Sequence, residues 1–504
     1  IEQSRTILLA AKKAGMSLKV HADEIVQLGG AGLAAAVTAA ECGCRDILVL
    51  EKRGATGGTS AMASGIFAAD SPTQRRQVIQ APKDEMFRRY MEWAHLAVNP
   101  RIIRAFVDLS GETVRWLEDK GLHFMCRSHS PADNPMTWHV PDGDGAAIMK
   151  VLAEECRRLR VRIELKTTAK KLLKEDAGLI RGVLAERDGE EVIFQTGNVI
   201  IAGGGFGGDL ERVKELCPKY RPIMGNAGVP NKGEGIFMAL EAGAAPDGLG
   251  MLMAAGPVAG GGGMIRLGEE PHVVPINLTF ITGEPANIWV NKKGRRFIDE
   301  MGIYNYYEVI NALIRQPDSI CYALFDAAQV RRITEHGLTN IASGYHFGDA
   351  QRSPLPEGLD RVLESKADEK YMKISGTWAE IAGWIDVSTQ TIEETVAEYN
   401  AGCERGYDPV FGKDRRYLHP ILEPPFYAIR CVSCYLNTLG GIRVNEHMEA
   451  LDRDDNPIPG LYAAGVDTGG WTPDTYCAAL PGTAFGYAVN SGRIAGFSVA
   501  KRLR

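Results

Sequence analysis

The sequence lacks the features of a membrane-spanning, nucleic-acid-binding or disulfide-stabilised protein. No uninterrupted apolar run reaches the about 18–20 residues that a membrane-spanning helix needs. A net charge of −6 over 504 residues gives no electrostatic reason to expect nucleic acid or an anionic membrane as a partner. The ten cysteines are scattered rather than spaced as a disulfide framework, so we expect mostly reduced, buried thiols.

Ligand sets for metal centres are missing as well. Cys431 and Cys434 form one CxxC pair, but no second pair or paired histidines accompany it. Tyr435 rather than a histidine follows, which excludes a c-type haem attachment. We interpret the pair as two small residues on a strand, and a redox pair or half a metal site stays open. With no haem motif or iron–sulfur ligand set, electrons must come from or go to an external donor or acceptor.

The length and composition are those of a globular protein. A chain of 504 residues, 45% hydrophobic and 24% charged, is long enough for two or three domains. We find no internal repeat and no low-complexity tract. We expect a cytoplasmic protein, and an exported one stays open because the sequence begins at Ile1 rather than Met.

A loop near the N-terminus has the pattern of a dinucleotide-binding turn. Residues 23–26 predict a short strand, and the alanine- and glycine-rich run 32–40 predicts a closely packed helix. The loop between them would present helix N-terminal N–H groups to a pyrophosphate. Glu51 follows the apolar strand 46–50, where a carboxylate can accept hydrogen bonds from ribose hydroxyls. An acidic residue there favours FAD or NAD and disfavours NADP.

The loop departs from the GxGxxG fingerprint at one position. Gly29 and Gly32 supply its second and third glycines, but Gln27 occupies the first. That first glycine normally allows the tight turn. We therefore expect a distorted loop or a strained residue at Gln27.

Four further stretches complete a flavin-binding pattern: VLEK at 49–52, GGTS at 57–60, AGGG at 202–205 and GLYAAG at 460–465. The last lies only about forty residues from the end of the sequence, so both ends of the chain are expected to close over one bound FAD. The residues expected to contact the FAD are Gly29, Ala31, Gly32, Glu51, Lys52, Gly57, Gly58, Thr59, Ser60, Gly65, Ala202, Gly203, Gly465, Asp467, Gly482, Thr483 and Ala484.

The middle of the chain is predicted to be an insertion. The glycine-dense run 254–268 suggests a mobile connection, and beyond it a strand at 287–291 and helices near 306–315 and 389–406 build a separate unit. The flavin-site motifs then return. We predict an α/β protein whose discontinuous, Rossmann-like FAD-binding domain (1–252 and 425–504) carries an inserted α+β capping domain (253–424) that binds the substrate.

Motifs along nearly the whole chain support a family resemblance. They are GGAGL at 29–33, GGTS at 57–60, NKKGRRFIDE at 291–300, TLGG at 438–441 and LYAAG at 461–465. Over residues 23–504 the chain resembles the flavoprotein family of fumarate reductases, succinate dehydrogenase flavoprotein subunits, urocanate reductases and 3-ketosteroid dehydrogenases. This resemblance implies hydride transfer between flavin N5 and one carbon of a C–C bond. A residue of the capping domain then exchanges a proton with the neighbouring carbon.

The resemblance also locates the proton-transfer position. In fumarate reductases an arginine four residues after the motif's final glutamate, here Glu300, donates the proton. That position is Tyr304 in this chain, as in the ketosteroid dehydrogenases of the family. A phenol with a pKa near 10 is protonated at neutral pH and suits proton donation to a developing carbanion or enolate. Tyr476 is a second candidate, which could stabilise an enolate as an oxyanion hole does.

Two carboxylate-binding residues of fumarate reductases are absent. The arginine position holds Ala479, and the histidine position holds Leu436. Losing two charge-assisted contacts of about 1.5–3 kcal/mol each removes about 3–6 kcal/mol, roughly a hundred- to ten-thousand-fold in affinity. A small dicarboxylate is therefore a poor candidate substrate.

Apolar and aromatic residues replace the missing charges. We expect Trp471, Leu436 and Leu480, together with the two tyrosines, to line a pocket for a hydrophobic or aromatic enone-like substrate, such as a ketosteroid or an arylacrylate. Family members place residues near the flavin and substrate at the position of His139, although a lone histidine is more often structural.

Three interpretations remain open from the sequence. The first is an FAD-dependent oxidoreductase acting on a CH–CH group, with the direction of reaction not encoded. The second is a carboxylate reductase that rebuilt its anion site from Arg266, Arg295 or Arg296. The third is a flavoprotein that only carries electrons, which a proton-donor position in a cap argues against.

Overall fold

The computed structural model describes residues 29–127, 135–175, 178–220, 224–226, 231–259, 265–266, 276–339, 363 and 371–504. The predicted strand at 23–26 and Gln27 lie outside the described residues. In this part of the chain, no helix combines the length and apolarity that crossing a membrane requires.

Helices and strands are distributed along the whole of the described chain. The α-helices are α1 (Gly30–Glu41), α2 (Pro72–Arg76), α3 (Lys83–Trp93), α4 (Pro100–Glu118), α5 (Asp144–Arg158), α6 (Leu210–Leu216), α7 (Glu234–Glu241), α8 (Ile276–Thr282), α9 (Tyr306–Leu313), α10 (Ala327–His336), α11 (Trp378–Ile385), α12 (Thr389–Arg405) and α13 (Thr483–Arg502). The strands are β1 (Leu48–Leu50), β2 (Ile66–Phe67), β3 (Phe124–Arg127), β4 (Trp138–Pro141), β5 (Arg162–Glu164), β6 (Thr167–Lys174), β7 (Ile180–Arg187), β8 (Glu190–Gln195), β9 (Val199–Ile201), β10 (Met224–Asn226), β11 (Pro246–Ala259), β12 (Ile265–Arg266), β13 (Ile288–Asn291), β14 (Ile320–Asp326), β15 (Met372–Ser375), β16 (Phe426–Ile442), β17 (Glu449–Leu451) and β18 (Pro457–Ala463).

Parallel strand pairs mark the nucleotide-binding half of the molecule. Strand β1 pairs in parallel with β5, and β9 pairs in parallel with β18, which follows it by more than 250 residues. Parallel pairing requires long crossover connections, and here helices and the whole middle of the chain supply them. The predicted Rossmann-like class with an inserted cap is confirmed by this arrangement.

Small residues let the first and last helices pack closely. Gly492 of α13 lies so near α1 that an added Cβ would collide with the carbonyl oxygen of Ala31. One turn later, a Cβ on Gly496 would lie 2.6 Å from the carbonyl oxygen of Ala35. Glycine and alanine allow this backbone-to-backbone contact because they carry no bulky side chain. The two ends of the described chain therefore form one layer of the FAD-binding domain.

A mixed sheet combines strands of the predicted capping segment with strands from the segments on either side of it in the chain. Its strand order is β12-β10-β16-β14-β13, and β11 and β15 also pair with β16. All seven residues of β14 are buried, as are nearly all of β16, because helices cover the sheet. One face packs with α11 and α12 in a second hydrophobic cluster that includes Ile288, Leu324, Ile392 and Ala428.

The predicted mobile connection at 254–268 is wrong in its first part. Residues up to Ala259 belong to the long strand β11, in which Ala255 lies opposite Cys434 of β16. Backbone pairing with β16 overrides the preference of glycine-rich sequence for loops. Strand β11 continues through the predicted boundary at 252–253. The domain boundaries at 252 and 424 stay predictions.

The CxxC pair lies inside the same sheet. Cys431 and Cys434 are both buried in β16, as the interpretation of two small strand residues predicts. Cys431 lies opposite Cys321 of β14 rather than beside its CxxC partner. Burial raises the pKa of the Cys434 thiol to about 12, so this thiol stays protonated at neutral pH.

Candidate functional site

One cavity of about 280 Å³ lies where the first helix, the last helix and the cap meet. Eleven of the residues singled out from the sequence line it: Gly29, Ala31, Thr59, Ser60, Gly65, Ala202, Leu436, Gly465, Tyr476, Gly482 and Ala484. Stretches that are far apart in the sequence thus meet around one space. Their individual roles remain predictions.

Two helix N-termini open onto this cavity. Helix α1 begins after Gly29, and the Gly30 N–H donates to Ser60 Oγ at 2.8 Å. Helix α13 begins after Gly482, which has a φ of 85° and supplies no capping side chain. A Cβ on Gly482 would lie 2.6 Å from Phe67 N, so glycine is required by both conformation and space. Backbone N–H groups and positive helix ends favour anionic or electron-rich atoms, which fits a dinucleotide pyrophosphate and a flavin ring.

Glu51 and Lys52 do not belong to the described lining of the cavity. Glu51 is buried at the end of β1, where a ribose contact is expected, and one carboxylate oxygen accepts a hydrogen bond from Arg53 N at 2.7 Å. The Lys52 ammonium pairs with Glu234 of α7 at 2.5 Å. Burial lowers the pKa of Lys52. The ion pair therefore links the strand-end loop to a neighbouring helix.

Asp467 holds a loop of the cavity wall together. Its carboxylate accepts hydrogen bonds from the backbone N–H groups of Gly205 at 2.6 Å and Gly204 at 3.0 Å. Burial raises the pKa of Asp467 to about 6, against the lowering effect of these bonds. The predicted cofactor residues that adjoin the lining without belonging to its described part are Gly32, Gly57, Gly58, Gly203, Asp467 and Thr483.

Tyr304 lies outside the described lining of the cavity. It sits in the 3₁₀ helix Glu300–Asn305, and its hydroxyl donates to the Thr339 carbonyl at 2.6 Å. The Tyr417 hydroxyl lies 2.9 Å away. Burial and the neighbouring phenol raise the pKa of Tyr304, so the hydroxyl is protonated at any ordinary pH. Its predicted role as proton donor requires this hydroxyl to exchange Thr339 for the substrate.

Two predicted substrate-binding residues, Trp471 and Leu480, pack in the hydrophobic core. Trp471 is fully buried, stacks on Tyr487 with ring centroids 4.6 Å apart, and donates its indole N–H to the Thr468 carbonyl at 3.1 Å. Leu480 is also buried in the main core. Neither residue belongs to the described lining of the cavity, so their contact with the substrate stays a prediction.

The side chain of His139 lies outside the described lining of the cavity. Its Nε2 lies 2.6 Å from Ser71 Oγ and its Nδ1 lies 2.8 Å from the Thr137 carbonyl, in a fully buried setting. Burial lowers the pKa of His139 to about 4, so the ring is neutral. Its neighbour Trp138 lines the cavity. Consecutive strand residues point to opposite faces, so the two side chains diverge, and a substrate-binding role for His139 stays a prediction.

The structure adds lining residues that sequence reasoning missed. They include Met253 from β11, Asn437 from β16, Trp138, and Tyr306 and Tyr307 at the start of α9. One feature of the sequence points to the two tyrosines: they follow Tyr304 by two and three residues. No comparable signal marks Met253 or Asn437.

The cavity carries no ionised side chain among its described lining residues. Arg295 pairs with Glu394 at 2.8 Å near the surface. Arg296 is buried and pairs with Glu300 at 2.8 Å and with Asp408 at 3.0 Å. The side chain of Arg266 lies outside the described residues. Neither described arginine is therefore placed to rebuild a carboxylate site.

Residues 28–475 match the family described as FAD binding domain. The chain belongs to this family. It is 30% identical over 486 residues to a vinyl phenol reductase of Lactiplantibacillus plantarum, covering 95% of this chain and 96% of that protein. It is 28% identical to an NADH:fumarate oxidoreductase of Klebsiella pneumoniae, covering 98% of this chain but only 49% of that protein.

Solved structures show the same fold. The 3-ketosteroid delta1-dehydrogenase of Sterolibacterium denitrificans superposes with a TM-score of 0.76 at 20% identity, covering 95% of this chain and 100% of that one. The open conformation of a flavocytochrome c3 fumarate reductase gives 0.70 at 21% identity, covering 99% and 81%. The protein is accordingly an FAD-dependent oxidoreductase acting on C=C bonds.

Proposed function

We propose that the protein reduces the C=C bond of a neutral aromatic or enone substrate, in which the alkene is conjugated to a ring or a carbonyl group. This proposal rests on the cavity beside the flavin-site loops. Its described lining includes Trp138, Leu436 and Tyr476 but no charged side chain. Such a wall favours a flat apolar body with a neutral polar handle. The similarity to a vinyl phenol reductase supports the same substrate class.

The FAD would supply the hydride for one carbon of the alkene, and the chain must then position the substrate and deliver a proton. Tyr476 lines the cavity, and its hydroxyl lies 3.4 Å from the Ala484 N–H at the start of α13. Burial raises the pKa of Tyr476, so it serves as a hydrogen-bond donor. In our proposal Tyr476 holds the substrate oxygen. Tyr304 protonates the neighbouring carbon once its hydroxyl leaves Thr339.

The proposal is tested by asking which alkene reoxidises the flavin. The flavin is photoreduced without oxygen and mixed with 4-vinylphenol, a cyclic enone or fumarate, and its reoxidation is followed by absorbance. We expect the two neutral substrates to reoxidise it and fumarate to do so poorly. Efficient fumarate turnover at micromolar half-saturation would contradict the substrate class and show that an anion site exists elsewhere.

A further inference from the structure

A carboxylate held by backbone N–H groups is buried behind one wall of the cavity. Asp467 is 1% exposed and ends the 3₁₀ helix Gly465–Asp467, whose first two residues line the cavity. Its oxygens accept hydrogen bonds from Gly205 N at 2.6 Å and Gly204 N at 3.0 Å. Burial raises the pKa of Asp467 to about 6, and the like charge of Glu234 contributes to the increase. The carboxyl group is therefore mostly ionised at neutral pH.

The loop after β9 has the backbone shape that holds such an anion. Gly204 and Gly205 both have left-handed φ angles, of 86° and 82°. Successive N–H groups in a turn of this kind point to one side and form a concavity that binds negative charge. The Asp467 carboxylate occupies this concavity, and Gly204 itself lines the cavity. A fixed negative charge thus lies directly behind a residue of the cavity wall.

The position of this charge matters because an FAD in the cavity would lie on the other side of the wall. Reduction adds two electrons to the flavin. A nearby negative charge makes the added electrons less stable, since like charges repel strongly where little water screens them. Two hydrogen bonds hold the buried carboxylate in place, so it cannot turn away from the flavin. The reduced flavin should then release its electrons as hydride more readily.

We propose that Asp467 lowers the reduction potential of the bound FAD and favours hydride transfer to an alkene over the reverse desaturation. This inference rests on the proposed function, which gives the direction of the reaction. In that reaction, two electrons from an external donor reach one alkene carbon as hydride by way of the flavin, and the other carbon takes a proton. Asp467 acts on this transfer through its charge and needs no contact with the substrate.

The reduction potential of the bound FAD tests this assignment without any substrate. It is measured on the holoprotein by anaerobic equilibration with a reference dye of known potential. We expect Asp467→Asn, which removes the charge and keeps the size of the side chain, to favour the reduced state about tenfold. That change is a rise of about 30 mV for a two-electron couple. It corresponds to one unit charge acting over about 10 Å inside a protein.

The matched control separates the charge from the geometry of the loop. Thr438 is buried, and its hydroxyl accepts a hydrogen bond from Phe206 N at 3.0 Å, next to the two glycines. Thr438→Val removes this bond to the same loop without changing any charge. We expect its equilibrium between oxidised and reduced FAD to stay within about threefold of wild type, or about 15 mV.

A rise of less than threefold in Asp467→Asn, or a rise beyond threefold in Thr438→Val, would overturn the proposal. If Asp467→Asn is purified without FAD, its dissociation constants for oxidised and reduced FAD decide, because their ratio fixes the potential of the bound cofactor. Equal weakening of both constants would also overturn the proposal. These measurements use no alkene, so their outcome is separate from failure of the proposed function, which shows as no alkene reoxidising the flavin.

Discussion

In our proposal Tyr304 donates the proton and Tyr476 holds the substrate oxygen, and the surroundings of the two hydroxyls differ. The Tyr304 hydroxyl is held by Thr339 and Tyr417, whereas Tyr476 lies in the cavity wall. Tyr304→Phe should retain FAD and substrate affinity but slow single-turnover flavin reoxidation by about 10²–10⁴-fold, the usual scale of general acid catalysis. Tyr417→Phe removes only the neighbouring hydroxyl and serves as the control. A near-normal rate of flavin reoxidation in Tyr304→Phe would contradict this assignment and make Tyr476 the candidate proton donor.

A second prediction at the scale of single residues is that His139 makes the free energy of unfolding depend on pH. Its folded-state pKa of about 4 lies below the ordinary value of 6.5, so the unfolded chain binds a proton more readily. The neutral ring contributes about 3 kcal/mol to the free energy of unfolding above about pH 6.5. This contribution is lost as the pH falls through 6.5 towards and below 4. Denaturant unfolding of wild type and His139→Gln between pH 7 and 4 measures it. An identical pH dependence in both proteins would contradict the assignment.

At the scale of elements, the crossing of α1 and α13 joins the two ends of the described chain. Gly492→Ala should lower the free energy of unfolding by about 1–3 kcal/mol and weaken FAD retention, because the added Cβ collides with Ala31. Gly383→Ala in α11 is the matched control, since a Cβ added there meets no packed neighbour within 4 Å and alanine favours a helix. Thermal unfolding and the FAD content of each variant provide the readout. Equal effects of both substitutions would contradict the close-packing argument.

A buried ion cluster stabilises the element that carries the tyrosines. Glu300 is fully buried and accepts hydrogen bonds from Arg296 and from Trp289 N, and Lys413 lies 2.8 Å from it. Burial by itself raises the pKa of Glu300, but the charges and hydrogen bonds of Lys413 and Arg296 together lower it below its ordinary value. The cluster anchors the 3₁₀ helix Glu300–Asn305, which leads directly into Tyr306 and Tyr307. The motif that resembles the reductase family is thus a structural anchor for the cap tyrosines.

At the scale of the whole molecule, one FAD should lie between both chain ends and the cap. Purified protein should be yellow and release FAD rather than FMN on acid denaturation, at one FAD per chain. We expect non-covalent binding, since the described lining residues include no histidine or cysteine to form a flavin linkage. Chromatography of the released flavin checks this. Flavin that stays with the precipitated chain would contradict non-covalent binding.

The sequence by itself determined the cofactor and the fold class, and it predicts the loss of a carboxylate site. Glycine loops, a strand-end carboxylate and the residues Ala479 and Leu436 are local features, so their chemistry can be interpreted without distant contacts. Only the tertiary structure decided which side chains reach the cavity. Trp138 faces it while His139 does not, because strand neighbours point to opposite faces. Trp471 packs on Tyr487 instead, a contact that depends on how α13 folds back.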